Sequence, residues 1–149
     1  MDRLFKNLNK EDIEKCSNLI SKITASDIMI PTSKLYVTDP DKTIGYAKLK
    51  MVRNNIGSLL VVKDDVLVGI ITHRDANFLG DDAVELSVKD IMSKELEVVS
   101  PESSIREVVD IMLRKGYQRV PVLENGKLVG LITQGSVIRA LSNILNVGS

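Results

Sequence analysis

The chain has 149 residues, and its 20 Lys+Arg balance its 20 Asp+Glu, so the formal net charge is zero. This length can bury one ordinary core or two small ones. The lack of a basic excess and of Trp argues against nucleic-acid binding. The single cysteine, Cys16, excludes an internal disulfide and a multi-cysteine metal site. The apolar runs are shorter than the ~20 residues that span a bilayer, and the N-terminus lacks the apolar region of a signal peptide. We therefore expect a cytoplasmic mixed α/β protein without a membrane span.

An amphipathic helix is predicted first, from about Asn9 to Ile23. Asn9 is a favourable N-cap, and Ile13, Cys16 and Ile20 recur with Ile23 along one apolar stripe. We interpret Cys16 as a small core residue rather than a reactive thiol. Whether this helix packs on its own module or on a partner subunit is left open by the sequence.

The rest of the chain is a tandem repeat of about sixty residues. Residues 40–75 align without gaps onto 101–136 with ten identical pairs, among them Gly69/Gly130 and Thr72/Thr133. A shorter match precedes it, because residues 26–29 and 89–92 both end in Asp-Ile-Met. The predicted ranges are an N-terminal helix (1–24), repeat one (25–80), a linker (81–87), repeat two (88–145) and a tail (146–149).

Each repeat has the same predicted element order, strand–helix–strand–strand–helix. Apolar residues recur at helical spacing in its first helix, and an N-cap residue, Thr43 or Ser104, precedes that helix. Ser104 also has capping-box spacing to Glu107. Gly116 suits the end of the second of these helices. Two apolar strands follow, joined by turns at residues 64–65 and 125–126. The remaining predicted elements are strands at 59–62, 66–71, 120–123 and 128–132, and closing helices at about 75–79, stopped by Gly80, and 136–145.

This pattern resembles the CBS domain, and the pair resembles a Bateman module. The residues that carry the resemblance are Asp27–Met29 and Asp90–Met92, the strand Arg119–Val122, and the closing run Gly69–Asp75. The resemblance spans about residues 23–145. It implies an α/β (α+β) fold of two CBS repeats packed about a pseudo-twofold axis. It also implies a homodimer and a sensor of an adenosine-bearing ligand such as AMP, ADP, ATP or S-adenosylmethionine.

A nucleotide needs a carboxylate for the ribose hydroxyls, an apolar slot for adenine, and cations or donors for phosphate. Thr72 ends a predicted strand and Asp75 follows three residues later, where we expect a helix to begin. The resemblance makes Asp75 the ribose acceptor and Thr72 a hydroxyl near the phosphate, although Asp75 also suits a helix N-cap. It implies one inter-repeat cleft formed by Thr72, Asp75, Arg119, Gln118, His73, Ile28, Met29, Ile30, Pro31 and Thr24, with Ser26 as a further hydrogen-bonding candidate.

The two repeats diverge at these positions. Repeat two has Ser136 where repeat one has Asp75, and a serine cannot clamp a diol as a carboxylate does. Repeat one has Ser58 where repeat two has Arg119, whose guanidinium suits phosphate. In the family pattern, Asp75 shares a cleft with Arg119. The second cleft, with Thr133, Ser136 and Ser58, is therefore predicted to bind nucleotide weakly or not at all.

Three other functions are alternatives to the sensor. An enzyme is disfavoured because His73 is the only histidine and no Walker loop, GxGxxG, nucleophile elbow or HExxH occurs. A ligand-free dimeric scaffold that recognises a protein partner is the main alternative, and Ser136 favours it slightly. Nucleic-acid binding ranks last. We expect no catalytic residue, metal or cofactor, an adenine nucleotide as regulatory ligand, and an effector protein as a possible partner.

Overall fold

Six α-helices and six short strands form the described part of the chain, residues 9–78 and 80–147 of a computed structural model. The helices are α1 Lys10–Ser21, α2 Ala25–Ile28, α3 Ile44–Arg53, α4 His73–Phe78, α5 Ile105–Lys115 and α6 Gln134–Val147. The strands are β1 Ile30–Pro31, β2 Val37–Thr38, β3 Ser58–Lys63, β4 Val66–Thr72, β5 Arg119–Glu124 and β6 Lys127–Thr133. Short 3₁₀ turns lie at Thr32–Lys34, Asp81–Glu85 and Val88–Asp90.

Helix α1 begins as predicted, because the Asn9 side chain accepts from the Asp12 N–H at 2.8 Å. The helix lies against α5 and α6. It therefore packs on its own module, which is one of the two alternatives that the sequence left open. Ile20 packs on the core, whereas Ile13 is 52% exposed. The apolar stripe is therefore only partly buried, because its C-terminal residues Ile20 and Ile23 reach the core and Ile13 does not.

The predicted caps of the first helix in each repeat are confirmed. Thr43 and Ser104 each accept a hydrogen bond at 3.1 Å from the backbone N–H three residues later. The Glu107 carboxylate makes no return bond to Ser104, so the predicted capping box is only half formed. Gly116 ends α5 in the left-handed conformation with φ of 69°, which a residue without a Cβ adopts at no cost.

Both predicted hairpins are present, and both turn where the sequence indicated. Asp64 and Asp65 have φ of 49° and 65°, and Asn125 and Gly126 have φ of 52° and 79°. Two successive residues with positive φ make a turn whose twist matches that of the flanking strands. Several strands extend one residue beyond their predicted ends. The turn residues determine where the chain reverses but not where each strand ends.

The strands form two three-stranded sheets. One has the order β2-β3-β4, in which β2 pairs parallel to β3 and β3 pairs antiparallel to β4. The other has the order β1-β6-β5, in which β1 pairs antiparallel to β6. The first strand of repeat two is a single parallel bridge from Val99 to Val122. The mixed α/β fold class is confirmed.

The compact units do not follow the boundaries of the sequence repeats. One, which we call the repeat-two unit, contains residues 9–32, 98–123 and 129–147. The other, the repeat-one unit, contains 33–78, 80–97 and 124–128. The segment that opens each repeat therefore belongs to the unit that holds the body of the other repeat. The predicted range boundaries stay a prediction.

Matching backbone hydrogen bonds hold the two opening segments. In the repeat-two unit, Ala25 N–H donates to the Ser103 carbonyl at 2.8 Å. In the repeat-one unit, Val88 N–H donates to the Lys42 carbonyl at the same distance. Ala25 and Val88 occupy equivalent repeat positions, and both are fully buried. Each opening segment thus contributes one residue to the core of the unit that it joins.

Each unit has its own apolar core, to which the first helix of the repeat, the strands, the closing helix and the opening segment contribute. The core of the repeat-one unit contains Ile44, Ala47, Met51, Leu59, Val61, Ile71, Ala76 and Val88. The core of the repeat-two unit contains Ala25, Val99, Ile105, Val108, Ile111, Met112, Val120, Val122, Ile132 and Val137.

Both closing helices begin earlier than predicted. Helix α4 begins at His73 rather than Asp75, and α6 begins at Gln134 rather than Ser136. Helix α6 also runs to Val147, beyond the predicted start of the tail at residue 146. Leu79, predicted to end the first closing helix, and residues 148–149 of the predicted tail lie outside the described residues. None of the described helices is long and apolar enough to cross a bilayer.

Candidate functional site

The strand-to-helix junction of repeat one is closed by a reciprocal pair of hydrogen bonds. Thr72, the last residue of β4, donates its N–H to Asp75 Oδ2 at 3.1 Å. Asp75 donates its N–H to Thr72 Oγ1 at 3.2 Å. The interpretation of Asp75 as the N-cap is wrong, because Thr72 caps the helix and Asp75 supplies the return bond from the third helical position.

This capping box leaves part of the Asp75 carboxylate available. Oδ2 accepts from Thr72, whereas Oδ1 accepts no hydrogen bond from any described residue. Asp75 is half-buried, so its free oxygen can meet a ligand without a deeply buried charge. A carboxylate oxygen can accept two hydrogen bonds, so Oδ1 alone can accept from two hydroxyl donors.

The junction of repeat two repeats this geometry with a serine. Thr133 donates its N–H to Ser136 Oγ at 3.3 Å, and Ser136 donates its N–H to Thr133 Oγ1 at 3.1 Å. The two hydroxyls also lie 3.0 Å apart. Ser136 is 5% exposed. Its single oxygen is committed to the cap, so it has no second acceptor atom comparable to Asp75 Oδ1.

Two further candidates adjoin the Thr72–Asp75 box. Ser58 lies opposite Thr72 in the β3–β4 register. His73 donates its N–H to the Gly57 carbonyl at 2.9 Å, and its Nδ1 is buried with no hydrogen-bond partner among the described residues. Within the repeat-one unit, the structure thus brings together Ser58, Thr72, His73 and Asp75. The role of Ser58 in the second cleft stays a prediction.

The predicted adenine wall lies in the repeat-two unit. Ile30 and Pro31 form β1 opposite Leu131 and Gly130 of β6. Ile28, Met29 and Ile30 are half-buried, and Pro31 is exposed. Their role as an adenine wall stays a prediction.

Thr24 has a local structural partner. Its N–H and hydroxyl donate to Asp27 Oδ2 at 2.9 and 3.1 Å, and its Oγ1 lies 3.0 Å from Ser26 Oγ. Thr24 and Ser26 are the predicted hydrogen-bonding groups for the ligand. Both hydroxyls have partners at the start of α2, so a ligand would compete with this cap.

Arg119 and Gln118 stand at the start of β5 in the repeat-two unit. Arg119 is half-buried, and its guanidinium makes no hydrogen bond or ion pair in residues 9–78 and 80–147. Gln118 is exposed, and its carbonyl accepts from the Gln134 N–H at 3.0 Å. A half-buried cation without a protein anion suits an anionic ligand. The pairing of Arg119 with Asp75 stays a prediction.

The main charged cluster with shifted pKa values lies apart from these residues, at the surface of the repeat-one unit. Asp41 lies 3.0 Å from Lys89 and 3.4 Å from Lys63, which also reaches Asp39. Hydrogen bonds from Lys89 and Lys63 lower the pKa of Asp41. The hydrogen bond to Asp41 raises the pKa of Lys63 and that of Lys89. Because Lys89 belongs to an opening segment, this cluster ties that segment to the body of the other repeat.

Sequence reasoning missed two glycine–methionine contacts. Gly130 lies against Met29, and Gly69 lies against Met92, so each opening segment touches a glycine of the unit that it joins. The signal was present, because a glycine in a strand often marks a close backbone approach. Both glycines and both methionines also recur between the repeats. Among the described residues, no group of three His, Cys, Asp or Glu side chains could hold a metal ion.

The fold and the two matched junctions define a class of protein, a tandem α/β repeat with one Thr-x-x-Asp/Ser box in each repeat. The family model of the CBS domain matches residues 25–77 and 88–143. The chain therefore belongs to the CBS domain family and carries a CBS pair.

Relatives of two kinds match the chain. A 17.7 kDa uncharacterized protein of Acidianus ambivalens is 34% identical over 118 residues, which cover 77% of this chain and 72% of that protein. The inosine-5'-monophosphate dehydrogenase of Thermoplasma acidophilum is 33% identical over 127 residues, 84% of this chain but 25% of the enzyme. The chain thus spans about a quarter of the length of that enzyme.

Solved structures share the fold. The crystal structure of CBSX2 in complex with AMP has a TM-score of 0.74 and 27% identity, and the match covers 81% of this chain and 97% of that one. The CBS-domain protein ATU1752 of Agrobacterium tumefaciens has a TM-score of 0.69 and 28% identity, with 79% and 98% of the two chains covered.

Proposed function

We propose that this CBS pair is a regulatory protein without catalytic activity that binds an adenosine-containing ligand, AMP, ADP, ATP or S-adenosylmethionine. One observation carries the proposal: Asp75 Oδ1 accepts no hydrogen bond within the described residues, although Oδ2 completes the cap with Thr72. The free oxygen is suited to accept from a ribose hydroxyl. Ser136, at the matching position, has no such spare acceptor.

Similarity supports the ligand class. The solved structure of CBSX2 holds AMP, and 27% of its aligned residues are identical to this chain. We propose that the half-buried imidazole of His73 offers a polar contact to the ligand beside Thr72. The segment from Ile28 to Pro31 supplies the apolar wall for adenine in this proposal.

The phosphate end of the ligand is assigned to Arg119, with Gln118 beside it. Arg119 is half-buried and has no anionic partner among the described residues, so a phosphate would satisfy it without displacing a protein carboxylate. Ligand affinity would then depend on residues of both repeats. Binding that engages both repeats can couple them if the affinity differs between two conformations.

Replacement of Asp75 by serine separates the ligand role from the cap, because Ser136 shows that serine closes the same box. We expect Asp75→Ser to change the free energy of unfolding by less than ~0.5 kcal/mol. Loss of a hydrogen bond to a charged group costs ~1.5–3 kcal/mol, so AMP affinity should fall by a factor between about 10 and about 140.

Thermal unfolding with adenosine, AMP, ADP, ATP and S-adenosylmethionine would identify the ligand, with GMP as the control. A ligand at 100 times its Kd adds about 2.7 kcal/mol of stability. Calorimetry on the wild type and on Asp75→Ser would then give affinity and stoichiometry, which we expect near one ligand per chain. Equal affinities for the two proteins would refute the ribose assignment, and two equal sites would show that Ser136 is no handicap.

The phosphate assignment has its own test. Arg119→Ala should weaken AMP more than adenosine, because only AMP offers an anion to the guanidinium. A double-mutant cycle with Asp75→Ser would reveal whether both residues act on one ligand, since residues sharing a ligand couple. Equal losses for AMP and adenosine would remove Arg119 from the phosphate site.

A second candidate function is a ligand-free dimeric scaffold for a protein partner. It is favoured by an exposed apolar row on α3, where Tyr46, Leu49 and Val52 are 47%, 47% and 64% exposed. Phe78 on α4 is 85% exposed, and Leu113 on α5 is 80% exposed. Helix faces of this kind in both repeats also support the proposed homodimer. Sedimentation of the wild type and of Leu49→Glu tests this, because the scaffold predicts a wild-type dimer that the introduced charge disrupts. The scaffold also predicts that no nucleotide shifts the thermal unfolding temperature.

A further inference from the structure

Two glycines in equivalent strands leave no room for a side chain. A Cβ added at Gly130 would lie 2.5 Å from Met29 Sδ and 2.9 Å from Met29 Cγ. A Cβ at Gly69 would lie 2.6 and 2.9 Å from the same atoms of Met92. Neither glycine has a positive φ. Contact, rather than backbone conformation, is therefore what requires glycine at both positions.

The contact at Gly130 involves the backbone of β1 as well as a side chain. The added Cβ would lie 2.9 Å from the Ile30 carbonyl oxygen. A methionine side chain can rotate away from such a clash, but a backbone carbonyl moves only with its strand. Strand β1 has two residues, paired as Ile30 with Leu131 and Pro31 with Gly130. So short a strand has little other pairing to hold its position.

From these contacts we propose that Gly130 is a positioning residue that sets the place of the adenine wall. Because Gly130 has no side chain, β1 can pair closely with β6, and the Met29 side chain can pack against the glycine. The inference rests on the proposed function, because it assigns the wall to residues 28–31. It adds a residue on β6 to the determinants of ligand selectivity.

The matched control is Gly69→Ala. It produces the same clashes, because its Cβ would meet Met92 and lie 2.9 Å from the Ser93 carbonyl oxygen. Both glycines are buried, and each lies in the second strand of the hairpin of its own repeat. The segment displaced by Gly69→Ala takes no part in the proposed wall. The two substitutions should therefore lower the urea midpoint by similar amounts and differ in ligand selectivity.

The experiment compares AMP with ribose 5-phosphate, which lacks the base, on the full chain by calorimetry or ligand-observed NMR. Gly130→Ala should lower the ratio of AMP affinity to ribose 5-phosphate affinity about tenfold, equivalent to about 1.4 kcal/mol. Gly69→Ala should leave that ratio within about twofold of the wild type. A general loss of stability would lower both affinities together, so the ratio isolates the position of the wall.

A second pair of variants covers the case in which Gly130→Ala does not fold. Met29→Ala removes the two side-chain atoms that clash, and Met29→Ala with Gly130→Ala then retains only the contact with the Ile30 carbonyl. The double variant should have a lower ratio than Met29→Ala alone. If the wild type binds AMP, an unchanged affinity ratio in Gly130→Ala, or in the double variant relative to Met29→Ala, would overturn the positioning role. A wild type that binds none of AMP, ADP, ATP and S-adenosylmethionine would instead refute the proposed function.

Discussion

Truncation of Val88 tests the exchange of opening segments between the two units. Val88 belongs to repeat two by sequence, yet it is fully buried in the core that contains Ile44 and Ile71 of repeat one. Its N–H also donates to the Lys42 carbonyl at 2.8 Å. Val88→Ala should therefore destabilise the body of repeat one rather than that of repeat two.

The size of the effect follows from the burial. Val88→Ala removes two methyl groups, which contribute ~0.8 kcal/mol each when fully buried. The cavity left behind adds ~1 kcal/mol at ~24 cal/mol per Å³. The expected loss is thus about 2.5 kcal/mol, and the matched control Val84→Ala, at a residue 38% exposed, should lose under ~0.5 kcal/mol.

Urea unfolding gives the total loss, and hydrogen exchange of the full chain locates it. A loss of about 2.5 kcal/mol corresponds to roughly 60-fold faster exchange through openings that expose this core. The acceleration should appear in α3, β3 and β4, while the amides of α5 keep their wild-type protection. Acceleration in α5 with α3 unchanged would refute the assignment of Val88 to the repeat-one unit.

Two smaller predictions concern a turn and a surface cluster. Asp65 has φ of 65° in the turn after β3, where repeat two has Gly126, so Asp65→Gly should raise the free energy of unfolding by ~0.5–1 kcal/mol and raise the urea midpoint with it; a lower midpoint would contradict this. The pKa of Asp41 is lowered from its ordinary value of 3.8, so its contribution to stability is present above that pH and fades as the pH falls through the lower value of the folded state. Asp41→Asn should therefore flatten part of the acid limb of a stability-against-pH curve and reduce its salt dependence, and an unchanged curve would show that the ion pairs with Lys63 and Lys89 contribute nothing to stability.

Local chemistry was predictable from the sequence because its causes are local. The N-caps Thr43 and Ser104, the αL residue Gly116 and the turn at residues 125–126 each depend on a few neighbouring atoms. The predicted starts of the closing helices are two residues late, because the prediction takes Asp75 rather than Thr72 as the cap. The Thr-x-x-Asp spacing from Thr72 is itself a capping box, which moves the helix start to His73.

The exchange of opening segments was beyond the reach of periodicity. A pattern of apolar residues predicts that Ala25 and Val88 are buried, but it does not specify which core they enter. That choice depends on contacts between residues far apart in sequence, such as Met29 with Gly130. Identity between the repeats hides the choice further, because the sequence offers each methionine two equivalent glycines, one in each repeat. The site candidates found from the resemblance share this limit, since their pairing is also a long-range property.

The two junctions together separate what the fold needs from what a ligand would need. The fold requires an acceptor for the N–H of the threonine that ends the strand, and Ser136 and Asp75 both provide it, at 3.3 and 3.1 Å. Capping therefore does not explain why position 75 carries a carboxylate, because the serine of repeat two performs the same task with one oxygen. The second oxygen of Asp75 is surplus to the cap, and a half-buried carboxylate retains a desolvation cost that a serine would avoid. A ligand with paired hydroxyls is the partner that would use this oxygen, which is why Asp75→Ser, rather than Asp75→Ala, discriminates between the two roles.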